Sequence, residues 1–169
     1  NTMADFSPKV GVRTTQGLAY GMANAVRPGK TPLSSMSPTI VLKEGEPVLA
    51  VGSAGGPRII TSTLQLIINT LDYGMMMDSA VKTPHMCCLT RDQGLELEEG
   101  FSPDTVKLLE ARGHKIAGTT DFGVLLVMPN GIMKKDGQFF PGGTSRVDGG
   151  GGVLTKAGTA AIDGICFKF

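Results

Sequence analysis

The sequence predicts an α+β fold of antiparallel sheets layered with helices. Three observations carry this reading. An alternating apolar segment at 40–50 reads as a β-hairpin. A long helical period follows it at 57–71. The remaining helices and strands come in groups rather than in strict alternation. At 169 residues the chain fits one domain, with hydrophobic residues at 41%. The formal net charge of +1, with no basic run or aromatic ladder, gives no sign of nucleic acid as a partner. No apolar stretch approaches the roughly 18 residues of a membrane span, and no signal peptide is seen. The chain starts at Asn1 rather than Met, as a processed product or a fragment would.

Asn1 to Lys30 shows no sustained period and reads as loop, either a frayed terminus or a functional lid. Two short stretches then frame the hairpin: Pro32-Leu-Ser-Ser-Met-Ser-Pro-Thr39 and Val51-Gly-Ser-Ala-Gly-Gly56. The hairpin places both at one end of a small sheet. The first offers the adjacent hydroxyls of Ser34 and Ser35. The second offers the N–H groups of Gly55 and Gly56 at a helix start. Such donors suit a carboxylate and a developing oxyanion.

Glu44-Gly-Glu-Pro47 is read as the hairpin turn, and the apolar runs around it suggest a sheet covered on both faces. Pro57 fits a first helical position. Ile59, Ile60, Thr63, Leu64, Ile67, Ile68 and Leu71 are read as the buried stripe, Leu66 as widening it nearly all round, and Gly74 as the stop. Met77 to Lys82 is a short helix before Pro84. Leu95-Glu-Leu-Glu98 alternates as a half-exposed strand. Ser102-Pro103-Asp104 starts a helix, with Val106, Leu108, Leu109 and Ala111 facing inward and Gly113 ending it. His114 beyond it reads as a surface residue. Lys115-Ile116, Val124 to Met128 and Gln138-Phe-Phe140 are strands, Pro129-Asn130-Gly131 a turn, and 142–152 a loop without a P-loop pattern. Three cysteines, Cys87, Cys88 and Cys166, give no disulfide framework. His85 beside the cysteine pair does not collect four zinc ligands, so neither a metal nor a cofactor is expected.

Several long motifs, in order, carry a family resemblance: Met3-Ala-Asp-Phe-Ser7, Ala23-Asn-Ala-Val-Arg-Pro-Gly-Lys30, Pro32 to Val41, Gly52 to Ile60, and Phe101 to Lys115. Over this part the chain closely resembles the small subunit of γ-glutamyltransferases, also called γ-glutamyltranspeptidases or glutathione hydrolases. The resemblance implies an N-terminal nucleophile hydrolase type αββα sandwich, here without its first strands. It implies a single domain over 1–169, with a donor-site loop and lid at 1–30, a core at 31–128 and a divergent tail at 129–169. It also implies a precursor that cuts itself, so that a threonine at the new terminus attacks a γ-glutamyl amide and passes the acyl group to water or an amino acid. The expected partners are the large subunit of the same precursor, glutathione or another γ-glutamyl donor, and the acceptor. Family members are periplasmic, secreted or membrane-anchored, and the chain does not say which.

By the resemblance, Asp5 holds the donor's α-amino group, Ser34 and Ser35 its α-carboxylate, and Gly55 and Gly56 form the oxyanion hole. Thr2 stands where a Glu or Gln contacts the donor amine, and Gln16 stands where the lid usually carries an aromatic. Ala4 replaces a second acid, 123–127 replaces a polar strand, and Thr144-Ser145-Arg146 only faintly matches a Ser-Asp-Pro-Arg segment. The nucleophile belongs upstream of Met3, so the chain alone is expected to be inactive and to fold poorly by itself. Two other readings stand beside this one: a non-catalytic relative with a glutamate-like pocket, and an acylase of other amides, which retention of Asp5, Ser34 and Ser35 argues against.

Overall fold

The computed structural model describes residues 5–7, 9–13, 21–90, 92–120, 127–146, 151–155 and 158–162, with backbone only for the last two segments. The fold is α+β. Among the described residues the strands form three sheets, ordered β1-β2-β6-β7, β3-β4-β5 and β8-β9.

The first sheet grows from the hairpin of β1 (Thr39–Lys43) and β2 (Glu46–Ala54). Its connection is only two residues long, Glu44 at φ 54° and Gly45 at φ 84°, the double left-handed geometry that matches strand twist. Pro47 therefore lies in β2 and not in the turn. It pairs with Leu42 beside a bulge in β2, where Val48 is the extra residue between Pro47 and Leu49. β6 (Met128–Lys135) pairs antiparallel with β2, and β7 (Gln138–Gly142) closes the sheet.

The expected turn at Pro129-Asn130-Gly131 is overturned. All three residues lie in β6, opposite Ser53, Gly52 and Val51. The real turn is Asp136-Gly137, both at positive φ. Gly131 is a glycine because a helix approaches it: an added Cβ would lie 2.7 Å from Met77 Sδ and from Val51 Cγ1. At Gly142 it would meet the Met77 carbonyl oxygen at 2.7 Å. The sequence signal at 130–131 was thus one of close packing, not of chain reversal.

Helices α1 (Ile59–Leu71) and α2 (Met77–Lys82) cover one face of this sheet. The core is Leu49 and Val51 of β2 against Leu66, Met77, Ala80 and Val81. The stripe expected on α1 is rotated. The buried residues are Ile59, Ser62, Thr63, Leu66 and Thr70, while Ile60, Leu64 and Leu71 are exposed. A helix apolar on more than one side gives periodicity no way to choose its buried face. Thr70 is accommodated by donating its hydroxyl to the Leu66 carbonyl at 2.7 Å. The helix also ends at Leu71, three residues before Gly74. On the other face of the sheet Ile40 and Leu42 are exposed, so among the described residues only one face is covered, contrary to expectation.

The second sheet joins β3 (Met86–Cys87), β4 (Leu95–Glu98) and β5 (Ile116–Thr120). β4 and β5 are parallel, and α3 (Pro103–Ala111) is the crossover between them; an all-antiparallel arrangement had been expected. Ser102 caps α3 by accepting from the Thr105 N–H at 3.1 Å. Its inward face is weaker than expected: Leu108 and Ala111 are exposed, and Val106 and Leu109 are only half-buried. His114 is exposed, as read. The divergent tail contains the hairpin of β8 (Gly151–Thr155) and β9 (Gly158–Ile162), so Gly151 and Gly152, expected as loop, lie in a strand. The strand expected over 124–126 lies outside the described residues; Val127 is buried just before β6.

Candidate active site

Both framing stretches leave the same end of the β1–β2 hairpin. Thr39, the first residue of β1, pairs with Val51, and β2 runs on to Ala54 beside it. The serine segment is held by its own hydroxyls. Ser34 Oγ accepts from the Met36 N–H at 3.2 Å, Ser37 Oγ donates to the Ser35 carbonyl at 3.1 Å, and Thr39 Oγ1 donates to the Ser37 carbonyl at 3.1 Å. Ser34 is exposed and Ser35 half-buried, so the pair faces an open surface.

Asp5 lies 29 positions before Ser34 in the chain, yet one side chain joins their segments. Asn24 donates its amide N–H to the Asp5 carbonyl at 2.6 Å and accepts from the Leu33 N–H at 2.9 Å. Its backbone carbonyl also takes the Ser7 N–H at 2.9 Å. An amide side chain offers a donor and an acceptor on one planar group. Sequence reasoning placed Asn24 inside a motif and gave it no role; nothing short of the folded chain reveals that it bridges 5 and 33. The Asp5 carboxylate itself is exposed and pairs with no cation among the described residues. Thr2 and Gln16 lie outside the described residues.

At the other end of the site Gly55 adopts φ 142° and Gly56 φ 60°, conformations that side chains disfavour. Gly56 to Arg58 form a single 3-10 turn leading into α1, with no side-chain cap on its free amides. Among the described residues neither glycine N–H has an acceptor. Both N–H groups lie at the start of α1, where the helix dipole favours negative charge.

Between β4 and the end of α2, sequence reasoning missed a buried charge cluster. Arg146 and Glu98 are wholly buried side chains. Arg146 Nε donates to Glu98 Oε1 at 2.6 Å and Nη2 donates to Oε2. The guanidinium also reaches the carbonyls of Val81 at 2.7 Å and Thr83 at 3.0 Å. Glu98 Oε2 accepts in addition from the His85 N–H at 2.7 Å. One guanidinium thus ties β4 to the end of α2. Glu98 had been read as the exposed half of an alternating strand, but an inward carboxylate is what a buried arginine requires. His85 is buried too, with Nδ1 3.4 Å from Arg146 and Nε2 without a partner. Its pKa is pushed down to about 4, first by burial and then by the Arg146 charge, while Glu98 pulls the other way.

A histidine held neutral in the native state lowers stability in acid. Between pH 6.5 and about 4 the unfolded chain takes up a proton that the native chain does not. Stability should therefore fall as pH falls through that window, by on the order of 3 kcal/mol from this group. Thermal melts of the protein and its His85→Asn variant across pH 4–7 would measure it, and the variant should lose much of the slope. Cys87 is buried, and burial raises its thiol pKa, which leaves it unreactive at neutral pH; Cys88 is exposed. No cluster of metal-ligating side chains occurs among the described residues.

Comparison with known proteins gives a consistent result. The family model described as Gamma-glutamyltranspeptidase matches residues 1–151. A glutathione hydrolase proenzyme of Escherichia coli (strain K12) is 53% identical over 117 residues, which are 69% of this chain and 20% of that protein. The chain thus spans about a fifth of the length of the curated relatives that it matches over most of its own. The crystal structure of a mutant Helicobacter pylori gamma-glutamyltranspeptidase superimposes with a TM-score of 0.76 at 39% identity, covering 87% of this chain and 80% of that one. An acylase ACY 1 proenzyme of Pseudomonas sp. (strain SE83) is 41% identical over 96 residues, 57% of this chain and 17% of that protein.

Proposed function

The chain belongs to the γ-glutamyltranspeptidase family, and from that premise we propose that it carries the donor-binding and oxyanion half of an enzyme that transfers or hydrolyses γ-glutamyl groups. The donor class is glutathione and other γ-glutamyl amides. Asp5 holds the α-ammonium, Ser34 and Ser35 the α-carboxylate, and the N–H groups of Gly55 and Gly56 the oxygen of the tetrahedral intermediate. Thr2 and Gln16 belong to the amine contact and the lid in the same reading. The attacking threonine comes from outside these 169 residues. Water or an amino acid takes the acyl group.

The observation that carries the reading is the Asn24 bridge. It fastens the segment of a free carboxylate to the segment of two hydroxyls. An α-amino acid end needs that combination, with an anion for its ammonium and neutral donors for its carboxylate. A large-subunit partner fits the surface. Ile40 and Leu42 on the open sheet face and Ile60, Leu64 and Leu71 on α1 leave apolar area uncovered among the described residues. The unit is read as one domain, with a donor loop and lid at 1–30, a core at 31–128 and a tail at 129–169; β6 and β7 add strands to the core sheet from the start of that tail.

The test is steady-state kinetics on the full-length protein with a γ-glutamyl anilide. Asp5→Ala should raise KM about 10- to 100-fold, the loss of one charge-assisted contact to the donor. An unchanged KM would remove Asp5 from the site. The acylase relative favours one second reading, an acylase acting on other amides.

A further inference from the structure

The glycine turn is strapped to the second sheet by an ion pair that the proposed roles do not use. Arg58 is the last residue of the turn, and its N–H closes it on the Gly55 carbonyl at 3.3 Å. Its side chain meets Glu96 of β4, in the second sheet, in a two-pronged contact, Nε to Oε2 and Nη2 to Oε1, both 2.7 Å. Side-chain exposure is 18% for Arg58 and 30% for Glu96, so the pair is shielded enough to hold one geometry. The Glu96 hydrogen bond raises the Arg58 pKa further. Glu96 is itself fixed between neighbours, Cys87 of β3 on one side and Gly118 of β5 on the other. On the Arg58 side, Thr61 Oγ1 donates to the Arg58 carbonyl at 3.0 Å.

Two glycines in conformations open to many alternatives do not hold a direction by themselves. β2 fixes the turn on one side through Ala54, the last residue to pair with β6. On the other side the turn runs into α1 at the buried Ile59, no side chain caps its amides, and Arg58 is its one residue with a side-chain tie to the second sheet among the described residues. We propose that the Arg58–Glu96 pair is a positioning device that aims the Gly55 and Gly56 N–H groups at the oxyanion. This rests on the functional reading above and adds two residues to it. Neither touches the donor. They act through the turn, so their loss should show in the chemical step and not in donor affinity.

A second link between α1 and the same sheet provides a control. Gln65 donates to the Met86 carbonyl at 2.8 Å and accepts from the Met86 N–H at 3.0 Å, farther along α1 from the glycines. In the full-length protein, Glu96→Gln should lower kcat on a γ-glutamyl anilide about ten- to hundredfold with KM held within about twofold. Gln65→Ala should lower Tm with kcat unchanged. The charge-reversed double variant Arg58→Glu/Glu96→Arg should recover part of the lost kcat. Glu96→Asp, one methylene shorter, gives an intermediate kcat and serves where Glu96→Gln does not fold. Unchanged kcat in the Glu96 variants would overturn the inference, as would a Gln65→Ala variant that loses kcat in the same proportion to Tm. Wild-type protein with no turnover would overturn the functional reading itself, and that result appears before any variant is made.

Discussion

Replacing Arg146 with alanine should destabilise the fold by about 3–5 kcal/mol, the largest effect expected of any single side chain here. The cost is not the loss of attraction alone. The variant would leave the Glu98 carboxylate fully buried with only the His85 N–H among its present partners. It would also free the carbonyls of Val81 and Thr83, which the same guanidinium satisfies. Arg146→Lys should recover only part of the loss, because an ammonium cannot place parallel bonds on both carboxylate oxygens and still reach two carbonyls. Urea denaturation of the protein and both variants measures this. A loss below about 1 kcal/mol, the value typical of an exposed pair, would mean that the cluster is open to water.

Gly55→Ala should reduce kcat about a hundredfold while KM changes little. At φ 142° a side chain is disfavoured, so alanine would rotate the peptide that carries the Gly55–Gly56 amides. Loss of one oxyanion donor slows acylation and leaves the grip on the amino acid end untouched. Pre-steady-state release of the aniline would place the defect in acylation. A variant with a normal burst and a raised KM would move these glycines from oxyanion to donor binding.

The legible parts of the fold were those written in local signals. Ser102 ahead of Pro103 and Asp104 marks the start of α3. Alternation marks the β1–β2 hairpin, and Pro84 bounds α2. The misread parts were settled by contacts between distant residues. Asn130-Gly131 carries a hairpin signature, but Met77 packs where a Cβ would stand, and the chain stays extended. α1 is apolar on two sides, so Ser62 and Thr70 go inward while Ile60 and Leu64 face out; Ile59, Thr63 and Leu66 are buried as read. Glu98 reads as a surface residue until Arg146, 48 positions later, is folded against it. In the site, the residue types of Asp5, Ser34, Ser35, Gly55 and Gly56 stand out in the sequence as motif members. What joins them does not. Asn24 bridges two loops by a side-chain amide, and Arg58 reaches Glu96 across 38 positions.

In the proposed function this chain reads the α-amino acid end of its donor. The deciding comparison is kcat/KM of the full-length protein on a γ-glutamyl anilide and on the glutaryl anilide, which keeps the carboxylate and lacks the amino group. A preference of about 100-fold for the γ-glutamyl compound is expected, largely erased in Asp5→Ala. Equal rates on the two anilides would contradict it and assign the chain to an acylase.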